Sequence, residues 1–248
     1  MPFRPTFWPT LFTIPALIVL LGLGTWQVQR LHWKEGLIAD RTARTTAAPI
    51  ALPPAGQPLA PAALAELDFR HAATTGVFQH EREMYLAART MEGSVGYQVI
   101  TPLQQADGSV VLVNRGWVPE TRKDPAKRAQ GQVAGTVAVD GAIRAPRPKN
   151  WLESKVVPDD QPAQNLWFWE DLTTMGAHAG VAPEKLVPVF LEAGAAPNPG
   201  GLPIGGQTRV NLPNDHLQYA ITWYALAVAL VVIYVVYHLQ QQRGRPNR

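Results

Sequence analysis

The sequence predicts a membrane protein in which two transmembrane α-helices, one near each end, flank a single β-rich α+β external domain built as an antiparallel sheet or small barrel. Three observations carry that prediction. No Asp, Glu, Lys or Arg lies between Arg4 and Arg30, a gap of 25 residues, and none lies between Asp215 and Arg243, a gap of 27. Crossing about 30 Å of hydrocarbon takes roughly 20 apolar residues at about 1.5 Å each, so both gaps are long enough. Between them, short segments rich in Val, Tyr, Thr and Phe alternate with Gly and Pro breakers, the pattern of paired strands and turns.

In chain order the expected parts are a cytoplasmic N-terminus (1–10), a first span (11–29), a helix extension and Pro-rich tether (30–66), the external domain (67–213), a second span (214–239) and a basic cytoplasmic tail (240–248). A cleavable secretory signal is the alternative for the first span. No small-residue cleavage site follows it, and Trp26, Gln27 and Arg30 continue the helical pattern. Arg4, Arg243, Arg245 and Arg248 are the charged side chains of the two tails, whereas residues 30–215 hold 18 basic and 19 acidic side chains. Basic flanks stay on the cytoplasmic side, so both termini are expected there and the domain outside, with Arg30 and Lys34 arguing weakly the other way. The basic excess is thus a topology signal, and no clustered basic face supports nucleic-acid binding.

Residues 45–65 contain Pro49, Pro53, Pro54, Pro58 and Pro61 and no charge, which reads as an extended spacer. Strands are expected at 70–78, 83–90, 96–103, 110–115, 133–144 and 187–192, with a hairpin turn at Ala106-Asp107-Gly108-Ser109. Trp167 to Asp171 leads into a short helix at 172–179, capped by Asp171 or Thr173.

The residues offer little for catalysis, and a non-enzymatic role is expected. There is no cysteine, which removes disulfides and thiolate metal sites. Ser94, Ser109 and Ser154 are the only serines, and none sits in a Gly-x-Ser-x-Gly elbow. The histidines His32, His71, His80, His178, His216 and His238 show no metal-ligand pairing. The Gly-rich stretch 200–206 lacks the ending of a phosphate loop and reads as a turn.

The entry to the second span stands out. At about 100° per residue, His216, Tyr219, Ala220, Trp223 and Ala227 share a helical face. A small residue flanked by a histidine and two aromatics would let a flat macrocycle lie against the helix, and histidine is a common haem-iron ligand. Residue types alone fit interfacial aromatics and a polar helix-start histidine more economically. On the first span Trp26, Arg30 and Trp33 form a matching face beside Gln27 and Lys34, with Gly22 and Gly24 permitting close helix approach. Arg30, Arg209 or Arg115 would suit a propionate; Arg115 serves equally as a strand-end residue ordering a turn.

Four motifs in order, Gly24-Thr-Trp-Gln-Val-Gln-Arg30 with Trp33-Lys34, Leu112-Val-Asn-Arg-Gly-Trp-Val118, Pro203-Ile-Gly-Gly-Gln-Thr-Arg209 and Asn214-Asp-His-Leu-Gln-Tyr-Ala-Ile-Thr-Trp-Tyr224, resemble the Surfeit locus protein 1 family of cytochrome c oxidase assembly factors. The resemblance runs from about Pro9 to Tyr237; Asp215 stands where some relatives carry Glu. It implies a two-span protein of the bacterial cytoplasmic membrane or mitochondrial inner membrane, acting in maturation of oxidase subunit I. Haem A synthase and other assembly factors are the further partners it suggests, with the lipid bilayer as surroundings. It also implies haem a as transient cargo, with His216 as axial ligand of the iron. Tyr219, Trp223, Trp26, Arg30 and Arg209 are then the expected surroundings. The absence of a long Arg- and Ser-rich leader favours a bacterium. The alternative is a scaffold that binds no haem and stabilises an early subunit I intermediate through Trp167–Asp171 and the Asn114–Trp117 turn.

Overall fold

The computed structural model describes residues 5–243, with the side chains of 242 and 243 left aside; the tail arginines Arg4, Arg243, Arg245 and Arg248 that carry the orientation argument lie outside the described residues or side chains. The elements are α1 (Phe7–Thr46), α2 (Pro61–Leu67), β1 (His71–Phe78), β2 (Met84–Met91), β3 (Ser94–Gln104), β4 (Val110–Pro119), β5 (Thr136–Arg144), α3 (Glu153–Val156), β6 (Leu166–Trp167), α4 (Leu172–His178), β7 (Leu186–Ala193) and α5 (His216–Arg243), with short 3₁₀ turns between them. They fall into two units, Met1–Asp40 with Val210–Arg248, and Arg41–Arg209.

The first unit is a pair of helices. α1 and the stretch His216–Gln241 of α5 are both long and apolar enough to cross a membrane, and few of their residues are buried by protein. α1 starts ahead of the expected span and runs without a break to Thr46, because residues 30–44 hold no proline and are mostly Leu, Ala, Glu, Lys and Arg, good helix formers.

The second unit is a five-stranded mixed β-barrel. Strands pair in the order β1-β5-β7-β4-β3, and β3 returns to β1 through Val77↔Gln104 and Phe78↔Leu103, which closes the ring. β2 continues the sheet beyond β3, and β6 lies parallel to β2. β4 and β7 also run parallel, so the sheet is mixed where antiparallel pairing was expected. The bond that joins them needs the chain segment from 120 to 185 as a crossover, and strands far apart in sequence cannot be paired by reading neighbours.

Side-chain parity explains the core. Val111, Val113, Val187, Val189 and Leu191 point into the barrel with Leu103, Val139, Ile143 and Ala72. The even-numbered Val110, Leu112 and Phe190 point the other way, under Met84, Leu86, Ile100, Trp167, Leu172 and Met175. β4 is therefore buried on both faces, which is why it opens on the continuous apolar run Val110 to Val113. The Asp171 cap is in place, its carboxylate accepting the Thr174 N–H at 2.9 Å. The Asp107 carboxylate likewise accepts the Ser109 N–H at 2.9 Å in the β3–β4 hairpin. β5 begins at Thr136, later than expected, because the Val133 carbonyl is turned to His80 and Gly135 takes a positive φ.

The Pro-rich stretch is no free spacer. Ile50 N–H donates to the His71 carbonyl at 2.9 Å, Gly56 N–H donates to Leu186 at 3.0 Å, and α2 forms behind them. Ile50, Leu52, Leu64 and Leu67 pack on the barrel core. Prolines remove donors and stiffen the unfolded chain, so the segment cannot become a ladder strand but is cheap to order as a strap. Its start is pinned by His71, whose Nδ1 lies 2.7 Å from the Ala47 carbonyl and whose Nε2 lies 2.7 Å from Asp140.

Two motif segments of the sequence meet on the barrel. Trp117 and Ile204 exchange both backbone hydrogen bonds, at 2.9 and 2.8 Å. Gly116 permits this with a φ of 114°, and a Cβ there would fall 1.9 Å from the Ile204 carbonyl oxygen. Gly116→Ala is therefore expected to detach the 203–206 segment at a cost of about 2–4 kcal/mol, read by denaturant unfolding of the full chain in detergent.

The Ala47 carbonyl, with Asp140, raises the pKa of His71 against its desolvation. Stability from a raised histidine is fully present below the unfolded value near about 6.5 and is lost as pH rises through the folded value. Wild type should thus gain stability between about pH 8 and about pH 6, and His71→Gln should lose that increment, measured as the difference in melting temperature across the two conditions.

Candidate functional site

The helix pair of the first unit holds most of the residues singled out by the sequence. Its half-buried and buried positions on α1 recur at alternating spacings of three and four through Thr13, Leu17, Leu20, Gly24, Gln27 and Leu31. On α5 they recur through His216, Ala220, Trp223, Ala227, Leu230 and Tyr234. That is the seam of two helices packed side by side. The helices come close at Gly24, since a Cβ there would lie 2.8 Å from the Tyr224 ring.

Lipid is as apolar as leucine, so polar contacts and small residues must hold such a pair. Gln27 Oε1 accepts from His216 Nδ1 at 2.6 Å, and Thr25 and Tyr224 hydroxyls meet at 3.1 Å. At the opposite end, Thr10 and Tyr234 hydroxyls meet at 2.6 Å. There Thr6 N–H donates to His238 Nε2 at 3.1 Å, while His238 Nδ1–H donates to the Tyr234 carbonyl at 2.7 Å. As residue number falls along α1 it rises equally along α5, which fixes an antiparallel register.

His216 is the chemically interesting member. An amide oxygen can only accept, so Nδ1 carries a proton, and in the neutral ring the lone pair is then on Nε2. No side chain or carbonyl among the described residues bonds to Nε2. This is the arrangement by which proteins orient a ligating imidazole, with one nitrogen donating to a fixed acceptor and the other left for a metal. Asp215 starts the helix, its carbonyl accepting from Tyr219 N–H at 3.2 Å. His216 therefore stands in the first turn.

The surrounding residues take different places. Ala220 is buried against α1, so it serves the helix contact and offers no floor for a macrocycle. Trp223 is half-buried in the seam. Tyr219 (56% exposed) and Trp26 (50%) turn outward, as do Arg30 and Trp33, which stack with 4.3 Å from guanidinium to ring centroid. Trp26, Arg30 and Trp33 thus form a face of the pair rather than its interface. Arg209 is exposed and belongs to the barrel unit.

Arg115 is not available as a propionate ligand. It is buried within the barrel unit, donates to the Gly131 carbonyl at 2.5 Å and to Asn198 Oδ1 at 3.3 Å, and lies 4.6 Å over the Phe78 ring. Burial pushes its pKa down to about 10, still far above physiological pH. It joins the Gly131 and Asn198 loops to the end of β1, the reading in which it orders the turn. Residues 114–117 are buried throughout and present no contact surface, whereas in 167–171 only Trp167 is buried and the rest is half-buried or exposed.

Sequence reading placed Gln27 merely beside the site and passed over Thr6, Thr10, Tyr234 and His238. Their signal was present as a three-and-four spacing continuous with Gly24 and Ala220. The buried Glu83–Arg128 pair, with Tyr85 O–H donating to Glu83 at 2.5 Å, was also missed. Burial and that hydrogen bond push the Tyr85 hydroxyl pKa up, which makes it a structural donor. Among the described residues no group of three or more His, Asp or Glu converges as a metal site.

The motif-bearing segments on both helices and on the barrel fall within the part of the chain, residues 14–228, that matches the SURF1 family model. A SURF1-like protein of Monosiga brevicollis is 40% identical over 241 residues, covering 92% of this chain and 86% of the relative. Surfeit locus protein 1 of Rattus norvegicus is 40% identical over 237 residues, 90% of this chain and 72% of the relative. The Homo sapiens protein of the same name is 37% identical over 246 residues, 93% and 76% respectively. The chain belongs to the SURF1, or Surfeit locus protein 1, family.

Proposed function

We propose that this chain is a non-catalytic assembly factor for an aa3-type cytochrome c oxidase, holding haem a as cargo and assisting its insertion into subunit I. Family membership supports the oxidase context. The observation that carries the haem reading is His216, with Nδ1–H donated to Gln27 at 2.6 Å and Nε2 left without a partner among the described residues. The exposed Tyr219 and Trp26 and the half-buried Trp223 supply ring surface near the imidazole on the two helices, and the exposed Arg30 supplies a cation. Arg209 is proposed as a second propionate partner.

A cargo must be released. One histidine at a helix start, flanked by outward-facing aromatics, suits transient holding better than a closed pocket with two protein ligands would. The orientation proposed for it, in a bacterial cytoplasmic or mitochondrial inner membrane, has both termini inside and the barrel on the outer face, because the basic residues cluster in the tails. Haem A synthase is the expected donor of the cargo.

The second reading, a scaffold for subunit I that binds no haem, is favoured by the same outward aromatics, since Trp26, Trp33 and Tyr219 would equally pack against another membrane helix. A chimera keeping both helices and Arg209 but exchanging Ala65–Gly205 separates the two. Haem retention is expected under the first reading and fails to appear under the second.

Co-expression with haem A synthase should give wild type with bound haem a and His216→Ala largely without it; equal haem in both proteins would remove His216 from the site. Gln27→Leu leaves the histidine in place but frees its Nδ1. It should weaken haem binding by about tenfold to a hundredfold, measured by titration of the purified apo-protein and followed in the Soret band.

A further inference from the structure

The loop that carries α3 is built upside down for a soluble surface. Its polar groups face one another. Arg147 grips Glu153 with two bonds of 2.8 Å, and Glu153 also accepts the Asn150 N–H at 2.9 Å. Asn150 Oδ1 in turn accepts the N–H groups of Leu152 and Glu153 at 3.0 and 2.8 Å. The Arg147 bonds, with that of Asn150, hold the Glu153 carboxyl at about 2, so the staple stays ionised throughout the physiological range. Trp169 fixes the base, its indole N–H donating to the Arg147 carbonyl at 3.0 Å with the guanidinium 4.5 Å over its ring.

What is left outside is apolar. Trp151 (74% exposed), Val156 (69%) and Leu152 (52%) stand on the solvent side, and the first two are the most exposed large apolar side chains of the barrel unit. Exposing them costs free energy in water, and the rigid polar base prevents their collapse onto the barrel. Of the charges beside them, those left unpaired are mainly cationic. Arg147 is spent on Glu153 and Asp160 on the Phe168 and Trp169 N–H groups, leaving Lys149 and Lys155, with Lys155 Nζ 5.5 Å from the Trp151 ring centroid. The nearest uncommitted acid in the chain, Asp159, follows Pro158.

Two occupants fit an apolar tip, a protein or a bilayer. Three side chains offer a few hundred Å², well under the roughly 800 Å² per partner of a stable protein interface. Lysine is depleted in protein interfaces, whereas Trp with snorkelling Lys is the composition of the membrane–water interface. The two apolar helices already hold the chain on a membrane, so contact with lipid is intramolecular and weak insertion suffices.

We infer that Trp151, Leu152 and Val156 form a lipid-dipping tip, inserted at the headgroup level of an anionic bilayer with Lys149 and Lys155 on the phosphates. The inference rests on α1 and α5 spanning that bilayer and is independent of haem. The chain has no cysteine, so Val156→Cys takes a single environment-sensitive nitrobenzoxadiazole label at a surface position.

The full-length labelled protein is reconstituted into phosphatidylcholine vesicles containing about a quarter phosphatidylglycerol, with and without a doxyl-labelled lipid. The expected result is a blue-shifted emission that loses most of its intensity to the doxyl lipid. Lys149→Glu with Lys155→Glu should restore much of that intensity. A label that stays water-like and unquenched in vesicles into which the protein has inserted overturns the inference, while failed insertion would overturn the membrane reading beneath it. Equal quenching in pure phosphatidylcholine overturns the role given to the lysines. Burial that needs co-reconstituted oxidase subunits, and is absent in lipid alone, assigns the tip to a protein and overturns it.

Discussion

Two apolar helices in hydrocarbon gain nothing by hiding apolar surface from each other, and this constraint decides the architecture of the helix pair. Close approach at Gly24, Ala220 and Ala227 supplies packing, and hydrogen bonds supply register. Each interhelical bond is worth only about 0.6–2 kcal/mol in a membrane, so several are spread along the seam. Gln27–His216 lies near one end, Thr10–Tyr234 and Thr6–His238 near the other. One consequence is that His216 is fixed by the same contact that fixes the pair. A residue needed for register and the residue proposed as iron ligand are the same residue, held by one amide oxygen.

The barrel solves a different problem with different means. A five-stranded ring has a small interior, filled here by one parity of Val, Leu and Ile, and its open edges would expose unpaired backbone. The proline-rich strap and α2 cover core residues that the strands leave partly open. The pairing of Trp117 with Ile204 adds a further backbone contact to β4 beyond those made by β3 and β7. Arg115 is the polar counterpart of this packing. Its buried guanidinium satisfies the Gly131 carbonyl and Asn198, and Asn198 donates to the Pro203 carbonyl at 2.6 Å. A charge this deep is tolerated because every loop it touches lends it an acceptor.

The legible parts of the sequence are those governed by local periodicity. Charge-free length gave the two helices; alternation gave the six long strands to within a few residues; Asp-Gly gave the hairpin, and Asp171 its helix cap. What escaped depends on partners distant in the chain. β6 is a two-residue strand whose identity comes from Tyr85 and Leu86, and no window around Trp167 contains that information. Proline content made 45–65 look like a spacer, because the four aliphatic side chains it carries signal burial only when the barrel surface is known. At the site, the aromatic residues drew attention through their type, yet the pairing face is written in small and polar residues at three-and-four spacing. Chemical conspicuousness and structural position diverged: Tyr219 and Trp26 face out, while Gln27 and His238 face in.

That divergence bears on how a holder of cargo would work. A histidine with its proton fixed on one side presents a ready ligand on the other at no further ordering cost, which favours capture. Outward-facing rings would enclose the proposed cargo on one side only, which would keep affinity moderate and leave a face open toward a recipient. Transfer would then require the recipient to offer the missing side, with a ligand of its own and apolar helix surface for Trp26 and Tyr219. In that arrangement the helix pair and the acceptor would share the haem for a moment. The haem-holding and scaffolding readings would then describe successive states of one encounter.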